Sequence, residues 1–387
     1  MIILEKPYVS EFMLETIVQN DFPVLENKSV EEAEIEEGAL RLVSEESARN
    51  YYMAQEYPLI YSNSENSISW ILENLSQTNL ADYIRLFKDK FVFRVQTKEL
   101  FPDLYFESRT YDELKNVSPE KLKYPLVIKP AVGFLSFGVH TVKDAKEWKD
   151  VVAKLEKEVK YATEMYPDTV INSSKFILEE VIEGEEFAID AYFDRNGEPV
   201  ILNIFQHPFL NDKDVSDRIY LVSIGIMVKY MAKFALLLRD IGKLKDIRNF
   251  PMHIEVRVKD DGTVIPIEVN PMRFAGWCTT DLAKYAWGIN VYEYFYKQLK
   301  PDWTSILEKA GKGVYYFSMA EVPVYIDSDK IRGFEYERFL ANYSNVLELR
   351  RIDYKSNPLF AIIFGSTNSK EEVVKILTLK TKDYIIS

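Results

Sequence analysis

The stretch HIEVRVKDDGTVIPIEVNPMR, residues 253–273, contains two runs of alternating apolar and polar residues. The runs flank Asp260-Asp261-Gly262, and Asp-Gly between two such runs is a strong short-range signal for a β-hairpin. Because side chains alternate along a strand, each run has one apolar face. These faces carry Ile254, Val256 and Val258 on the first strand, and Ile265, Ile267 and Val269 on the second.

The opposite, polar face of the hairpin carries three side chains whose oxygen atoms can bind a metal ion. Glu255 projects from the first strand, and Glu268 and Asn270 project from the second toward the same point. Two carboxylates and an amide oxygen are ligands that hold Mg²⁺ while substrate phosphates complete the octahedron. A hairpin considered alone also fits an ordinary polar sheet face, so the metal interpretation depends on the sequence upstream.

Composition limits the class of protein. A chain of 387 residues predicts two or three domains, and a net charge of −13 argues against nucleic-acid partners and anionic membrane surfaces. The single cysteine, Cys278, excludes an intrachain disulfide, and the first residues lack a signal-peptide pattern. We therefore expect a cytoplasmic protein.

One segment, residues 219–238, is long enough to cross a bilayer. It contains Lys229 and Lys233, so we predict an amphipathic core helix that ends near Gly242 rather than a membrane span. Its predicted buried stripe consists of Leu221, Ile224, Val228, Met231, Ala235 and Leu238.

Two lysine-bearing segments precede the hairpin. Residues 81–100 predict one helix with Lys88 and Lys90 near its centre, for which a solvated basic face is the simplest interpretation. Downstream, Pro125–Ile128 predicts a strand that ends in Lys129 and leads into a loop with Gly133, Ser136 and Gly138. Such a loop can bring backbone N–H groups close to phosphate oxygens, although an ordinary turn is the alternative.

A third segment, FILEEVIEGEEFAIDAYF, predicts a strand, a turn at Gly184 and a second strand. The backbone of Glu179–Ile182 can present N–H and C=O groups to an adenine edge, and Glu186 can accept hydrogen bonds from ribose hydroxyls. A solvated acidic turn is the alternative for each glutamate considered singly.

In this order, the segments resemble the ATP-grasp superfamily of ligases over about residues 86–300. Asp89-Lys90 and Ile128-Lys129-Pro130, with Gly133, match the two family motifs whose lysines contact nucleotide phosphates. The resemblance implies nucleotide contacts from Lys90, Lys129, Gly133, Ser136, Gly138, Glu179, Glu180, Ile182 and Glu186. It implies metal ligation by Glu255, Glu268 and Asn270.

Two positions depart from the family pattern. The phosphate loop usually reads G-x-G-S-x-G, but Leu135 stands in place of the middle glycine. Many relatives read N-P-R after the metal pair, whereas this chain has Asn270-Pro271-Met272-Arg273. Arg273 is still the candidate phosphate clamp, because its guanidinium offers several donors in a fixed fork.

The resemblance implies an α/β chain with an ATP-grasp fold. We expect a Rossmann-like α/β domain at residues 1–85, before the ATP-grasp domain at residues 86–305. The latter contains nucleotide-binding subdomains around residues 120–185 and 186–300. Residues 306–387 form a small C-terminal α/β segment in this division.

The implied activity is an ADP-forming carboxylate–amine ligase that uses ATP and Mg²⁺, with Mn²⁺ as an alternative metal. Arg273 and Lys129 are its predicted catalytic residues, and its partners are small-molecule carboxylates and amines, with a homodimer as an option. No general base is assigned, since His207 on a strand more often has a structural role. Asp190 is likewise interpreted as a structural residue of a sheet. The alternatives are a bicarbonate-activating enzyme resembling biotin carboxylase or carbamoyl-phosphate synthase, and a non-catalytic nucleotide-binding protein.

Overall fold

The computed structural model describes residues 1–386 except 33–34, 36–37, 134–137, 166–171, 211–217 and 324. The side chains of residues 159–165 and 172–174 also lie outside the described part.

The N-terminal part is a small parallel sheet with helices between its strands, as the sequence predicts. Its strands lie in the order β3-β2-β1-β4. The strands are β1 (Ile2–Ile3), β2 (Pro23–Leu25), β3 (Arg41–Val43) and β4 (Tyr61–Ser62). The helices are α1 (Glu11–Gln19), α2 (Lys28–Glu31), α3 (Glu45–Met53) and α4 (Ile68–Asn74), and a short 3-10 turn, Glu65–Ser67, precedes α4.

The segment predicted as one helix forms two, α5 (Asn79–Lys88) and α6 (Lys90–Gln96). Asp89 separates them because its backbone is extended (φ −89°, ψ 107°) and its carboxylate accepts hydrogen bonds from the N–H groups of Phe91 and Val92. An Asp that caps a new helix in this way competes with continuation of the previous one. Lys88 and Lys90 are buried, so the predicted solvated basic face is wrong.

The second sheet is antiparallel, in the order β5-β8-β6-β7. Its strands are β5 (Phe106–Thr110), β6 (Leu126–Val132), β7 (His140–Val142) and β8 (Asn172–Glu180). Helices α7 (Tyr111–Asn116) and α8 (Trp148–Met165) cover it. Trp148 and Leu155 of α8 pack on Leu126 and Leu178 in a core of their own. This separate core allows the sheet to form a compact unit beside the rest of the chain.

The third sheet has eight strands in the order β13-β12-β9-β10-β11-β14-β17-β16. These strands are β9 (Glu185–Phe193), β10 (Pro199–His207), β11 (Ile219–Val222), β12 (Phe250–Val258), β13 (Val264–Pro271), β14 (Val314–Glu321), β16 (Val346–Arg351) and β17 (Leu359–Thr367). A two-stranded sheet pairs β15 (Gly333–Phe334) with β18 (Ile385–Ile386). The helices of this part are α9 (Ile224–Lys243), α10 (Leu282–Trp287), α11 (Val291–Tyr296), α12 (Trp303–Lys309), α13 (Tyr336–Leu340) and α14 (Lys370–Leu377). The C-terminal strands thus extend the sheet that contains the hairpin, and the three-domain division stays a prediction.

Helix α9 is amphipathic, as predicted, but its buried stripe differs. The helix begins only at Ile224, since Leu221 belongs to β11, and Val228 is 68% exposed. The buried residues are Met227, Tyr230, Phe234, Leu237, Leu238, Ile241 and Gly242. Gly242 does not end the helix; a Cβ there would lie 2.5 Å from the Phe193 ring, so glycine permits close packing on β9. No helix within the described residues is long and apolar enough to span a membrane.

The hairpin predicted around Asp260–Gly262 is formed by β12 and β13. A β-bulge after the Glu255–Glu268 pair aligns Val256 with Pro266 and Arg257 with Ile265. Ile265 consequently packs with Leu104 and Ile182, whereas Val269 belongs to the main core. The prediction that Ile265 and Val269 share a face is therefore wrong, because the extra residue shifts the alternation.

Candidate functional site

The predicted metal ligands lie together on the hairpin. Glu255 and Glu268 are direct cross-strand partners, and Asn270 pairs with His253 two residues further along the same strands. The Asn270 side-chain amide donates from Nδ2 to Oε1 of Glu255 at 3.4 Å. Within the described residues, no group of three or more His, Cys, Asp and Glu side chains is placed to hold a metal. The set on the hairpin combines two carboxylates with an amide, and this hard-oxygen chemistry fits Mg²⁺.

Lys90 connects the Glu255–Glu268–Asn270 set, which we call the metal face, to the loop that begins at Gly133, which we call the glycine loop. Its Nζ lies 2.9 Å from Oε2 of Glu268 and donates to the carbonyl oxygen of Gly133 at 3.4 Å. Burial alone would raise the pKa of the Glu268 carboxyl, but the positive charges of Lys90 and Lys129 outweigh it and lower that pKa to about 2. Glu268 is therefore a carboxylate at neutral pH, the form that binds metal.

A second ion pair joins Lys129, the other predicted lysine, to the predicted adenine-binding segment Glu179–Ile182, which we call the hinge. Lys129 Nζ lies 2.5 Å from Oε1 of Glu179, whose Oε2 accepts from Nε of Arg94 at 2.7 Å. Arg94 also donates to the carbonyl oxygens of Pro266 and Ile267 in β13, at 2.6 and 3.3 Å. Burial would raise the pKa of Glu179, but Arg94 and Lys129 lower it to about 2. The Glu179 carboxylate thus holds two positively charged side chains, Arg94 and Lys129, in place.

The glycine loop is only partly described. Ser136 and Leu135 lie outside the described residues, so their predicted roles are not tested. Gly138 has φ +69°, and a Cβ there would lie 3.0 Å from the Pro130 ring, so glycine is favoured at this position. The carbonyl of Gly133 accepts from both Lys88 and Lys90, at 3.4 Å each, and these contacts fix the start of the loop over the hairpin.

The hinge residues lie where the chain passes from the second sheet to the third. The backbone N–H of Glu180 donates to the carbonyl oxygen of Tyr105, and the Ile182 carbonyl accepts from Nη1 of Arg257 at 2.7 Å. Arg257 also donates from Nε and Nη2 to Oε2 of Glu186, at 3.1 and 2.9 Å. The other oxygen of Glu186 lies 3.1 Å from Nδ1 of His207. The predicted ribose acceptor is therefore held in a fixed orientation by two side chains.

Arg273 follows a residue with an unusual backbone. Met272 has φ +71°, and its side chain is completely buried in the main core. Its carbonyl accepts from the backbone N–H of Ser62, which anchors this part of the loop to β4. The Met272 side chain, at the position added to the N-P-R pattern, thus occupies the core. The Arg273 guanidinium donates from Nη1 to the Phe274 carbonyl at 3.0 Å and from Nη2 to Oε1 of Glu65 at 3.1 Å.

The polar residue Asp190, which the sequence favours as structural, supports the same loop. Its Oδ1 accepts from the Ala275 N–H at 2.8 Å and lies 2.8 Å from Nδ1 of His253. These contacts link β9, β12 and the segment that follows Arg273. They support the structural interpretation of Asp190.

Four charged residues of the site were not predicted from the sequence: Glu65, Lys88, Arg94 and Arg257. Arg94 is 2% exposed, and Glu65 and Lys88 form a buried ion pair. The capping residue Asp89 is a sequence signal that could have indicated Lys88 and Arg94, because a helix start there turns these two residues away from a common solvated face.

A family model described as an ATP-grasp domain matches residues 122–281, which contain the glycine loop, the hinge and the metal face. The chain therefore contains an ATP-grasp domain. No curated protein sequence matches this ATP-grasp chain.

Solved structures share the ATP-grasp fold over the full length of the chain. An L-amino acid ligase from Bacillus licheniformis is 18% identical, with a TM-score of 0.65 over 99% of this chain and 97% of that one. A biotin carboxylase from Campylobacter jejuni is 12% identical, with a TM-score of 0.64 over 100% and 91%. An N5-carboxyaminoimidazole ribonucleotide synthetase from Thermotoga maritima is 13% identical, with a TM-score of 0.61 over 99% and 98%. These similarities establish the fold.

Proposed function

We propose that this ATP-grasp protein is an ADP-forming ligase that joins a small carboxylic acid or amino acid to an amine. The observation that carries the proposal is the placement of Arg273 directly after the Glu255–Glu268–Asn270 face. Lys90 reaches this face through Glu268, and Lys129 lies on the adjacent Glu179. Positively charged side chains and oxygen atoms that can bind a metal therefore surround one region. Transfer of a phosphoryl group requires both, because they offset the charge of the phosphates.

The chemistry follows from the poor reactivity of a carboxylate. In the first step an oxygen of the carboxylate attacks the γ-phosphorus of ATP, the bond from that phosphorus to the β–γ bridging oxygen breaks, and ADP leaves. In the second step the nitrogen of a neutral amine attacks the carbonyl carbon of the acyl phosphate. The C–O bond to phosphate then breaks, and the nitrogen releases a proton to solvent.

The protein supplies position and charge in both steps. Lys90 and Lys129 would contact the phosphates of ATP, and Arg273 would bind the transferring group and then the tetrahedral intermediate. Glu255, Glu268 and Asn270 would hold Mg²⁺, which offsets phosphate charge when bound. Glu179–Ile182 and Glu186 would bind adenine and ribose, with Arg257 keeping Glu186 in place.

A second candidate is activation of bicarbonate in place of an organic acid. The biotin carboxylase matches this chain over its full length, with a TM-score close to that of the L-amino acid ligase. The same cations and metal ligands would serve either acid, so the fold alone does not favour one.

Phosphate release from ATP and Mg²⁺ separates these functions. We would screen pairs of amino acids, single organic acids with amines, and bicarbonate, and identify products by mass spectrometry. Release that depends on both an organic acid and an amine supports the proposal. Release that depends on bicarbonate supports the second candidate, and nucleotide binding without release under any condition contradicts both.

A further inference from the structure

Glu65 of the N-terminal part reaches the candidate phosphate region. Its Oε1 accepts from Nη2 of Arg273 at 3.1 Å, and its Oε2 is ion-paired with Nζ of Lys88. Lys88 also donates to the Gly133 carbonyl at 3.4 Å. One carboxylate thus connects the predicted phosphate clamp with a lysine that contacts the start of the glycine loop.

The chain places Glu65 by several local contacts. Glu65 begins the 3-10 turn after β4, and Ser64 caps this turn by accepting from the N–H of Asn66. The hydroxyl of Ser62 donates to the Ser64 carbonyl, while the Ser62 N–H donates to the carbonyl of Met272 at 2.9 Å. The turn and the residue before Arg273 are therefore joined by backbone as well as side-chain contacts, which limits their relative movement.

Burial makes these charges interdependent. Glu65 and Lys88 are each 8% exposed, and Arg273 is mostly buried. Burial alone would raise the pKa of Glu65, but Lys88 and Arg273 lower it below its usual range. A buried guanidinium keeps a fixed direction only where its donors have partners, and Glu65 and the Phe274 carbonyl supply two of them.

Among the described residues, these two contacts use two of the five N–H groups of the Arg273 guanidinium. The remaining three are the donors that a phosphoryl group could accept from. We propose that Glu65 is a positioning residue that orients Arg273 toward the transferring phosphoryl group and holds Lys88 on the glycine loop. The inference rests on the proposed function, because it takes Arg273 as the clamp.

The test uses a mimic of the γ-phosphoryl group, so that it does not depend on turnover. ADP binding would be measured by calorimetry with Mg²⁺, with and without beryllium fluoride, in the full-length protein. The gain in ADP affinity caused by beryllium fluoride reports the contacts at the γ position. Glu65→Gln keeps the size of the side chain and removes its charge, whereas Glu65→Asp keeps the charge. Asp194→Asn is the control, because it removes a buried carboxylate that pairs with Lys300 away from the site.

In Glu65→Gln we expect the gain to fall by about tenfold, with the affinity for ADP alone unchanged, and partial recovery in Glu65→Asp. Asp194→Asn should keep the full gain even if it lowers stability. The double variant Glu65→Gln/Arg273→Lys should lose little more of the gain than Arg273→Lys alone, since both changes remove the same interaction. An unchanged gain in Glu65→Gln, or additive losses in the double variant, would overturn the inference. Absence of ligase turnover in the wild type would instead contradict only the proposed function.

Discussion

Nε of Arg94 donates to Oε2 of Glu179 at 2.7 Å, and the terminal nitrogens of the same guanidinium donate to the carbonyls of Pro266 and Ile267. Arg94 therefore connects β8 of the second sheet with β13 of the third, and it supports the carboxylate that holds Lys129. One buried side chain thus fixes the relation between the hinge and the metal face.

Loss of Arg94 should destabilise the protein strongly. Arg94→Met leaves Glu179 with Lys129 as its one positively charged partner and leaves the carbonyl oxygens of Pro266 and Ile267 without these donors, so we expect a loss of about 3–5 kcal/mol in the free energy of unfolding. Urea denaturation would measure it. Arg109→Met is the matched control, because Arg109 pairs with Glu107 at a 39% exposed position and should cost about 1 kcal/mol or less. Equal losses in both variants would contradict the assigned role.

Glu179 should make stability depend on pH in the acidic range. Its pKa is about 2 in the folded protein, below the value of 4.5 for a free carboxyl, so its contribution is present above pH 4.5 and is lost as pH falls toward 2. The difference in free energy of unfolding between wild type and Glu179→Gln should be constant from pH 7 to pH 5 and shrink below pH 4.5. Glu107→Gln, at a partly exposed ion pair, should show a small difference throughout. A Glu179→Gln difference that grows on acidification would disprove this assignment.

Removal of the Glu268 charge should abolish turnover without unfolding the protein. Glu268→Gln keeps the side-chain volume but replaces a charged metal ligand with a neutral amide. The transition state then loses several kcal/mol of stabilisation, which corresponds to roughly a 100-fold or larger decrease in kcat. Steady-state kinetics and circular dichroism would be compared with Asp260→Asn, a change at the hairpin tip that should keep full activity. Full activity in Glu268→Gln would refute the metal assignment.

Arg257 should affect nucleotide binding rather than the chemical step. Arg257→Met frees the Ile182 carbonyl and leaves Glu186 with His207 alone, so we expect the KM for ATP to rise about tenfold while kcat stays within about twofold. Lys259→Met, just beyond the end of the same strand, should change neither constant. A fall in kcat with an unchanged KM would show that the hinge assignment is wrong.

Much of the site could be predicted from the sequence because its residues lie on short, regular elements. Alternation along β12 and β13 predicts which side chains share a face, and the cross-strand pairing of Glu255 with Glu268 confirms it for the polar face. The bulge that reverses Ile265 depends on how the strands pair, and such pairing is not visible in one strand pattern.

The residues that were missed act through tertiary contacts. Glu65 lies more than 200 residues before Arg273, and Arg94 is 85 residues before Glu179, so local periodicity contains no information about either pair. Helix α9 shows the same limit, because burial under neighbouring elements, rather than its own pattern, makes Met227 and Phe234 core residues and leaves Val228 exposed.

Oxygen transfer tests the central claim most directly. The acid found in the phosphate-release screen would be labelled with ¹⁸O in its carboxylate, and the inorganic phosphate formed would be analysed by mass spectrometry. Attack of the carboxylate on the γ-phosphorus of ATP predicts one ¹⁸O atom in each phosphate released with product. Phosphate without label, formed while the amide accumulates, would contradict activation through an acyl phosphate and with it the proposed ligase mechanism.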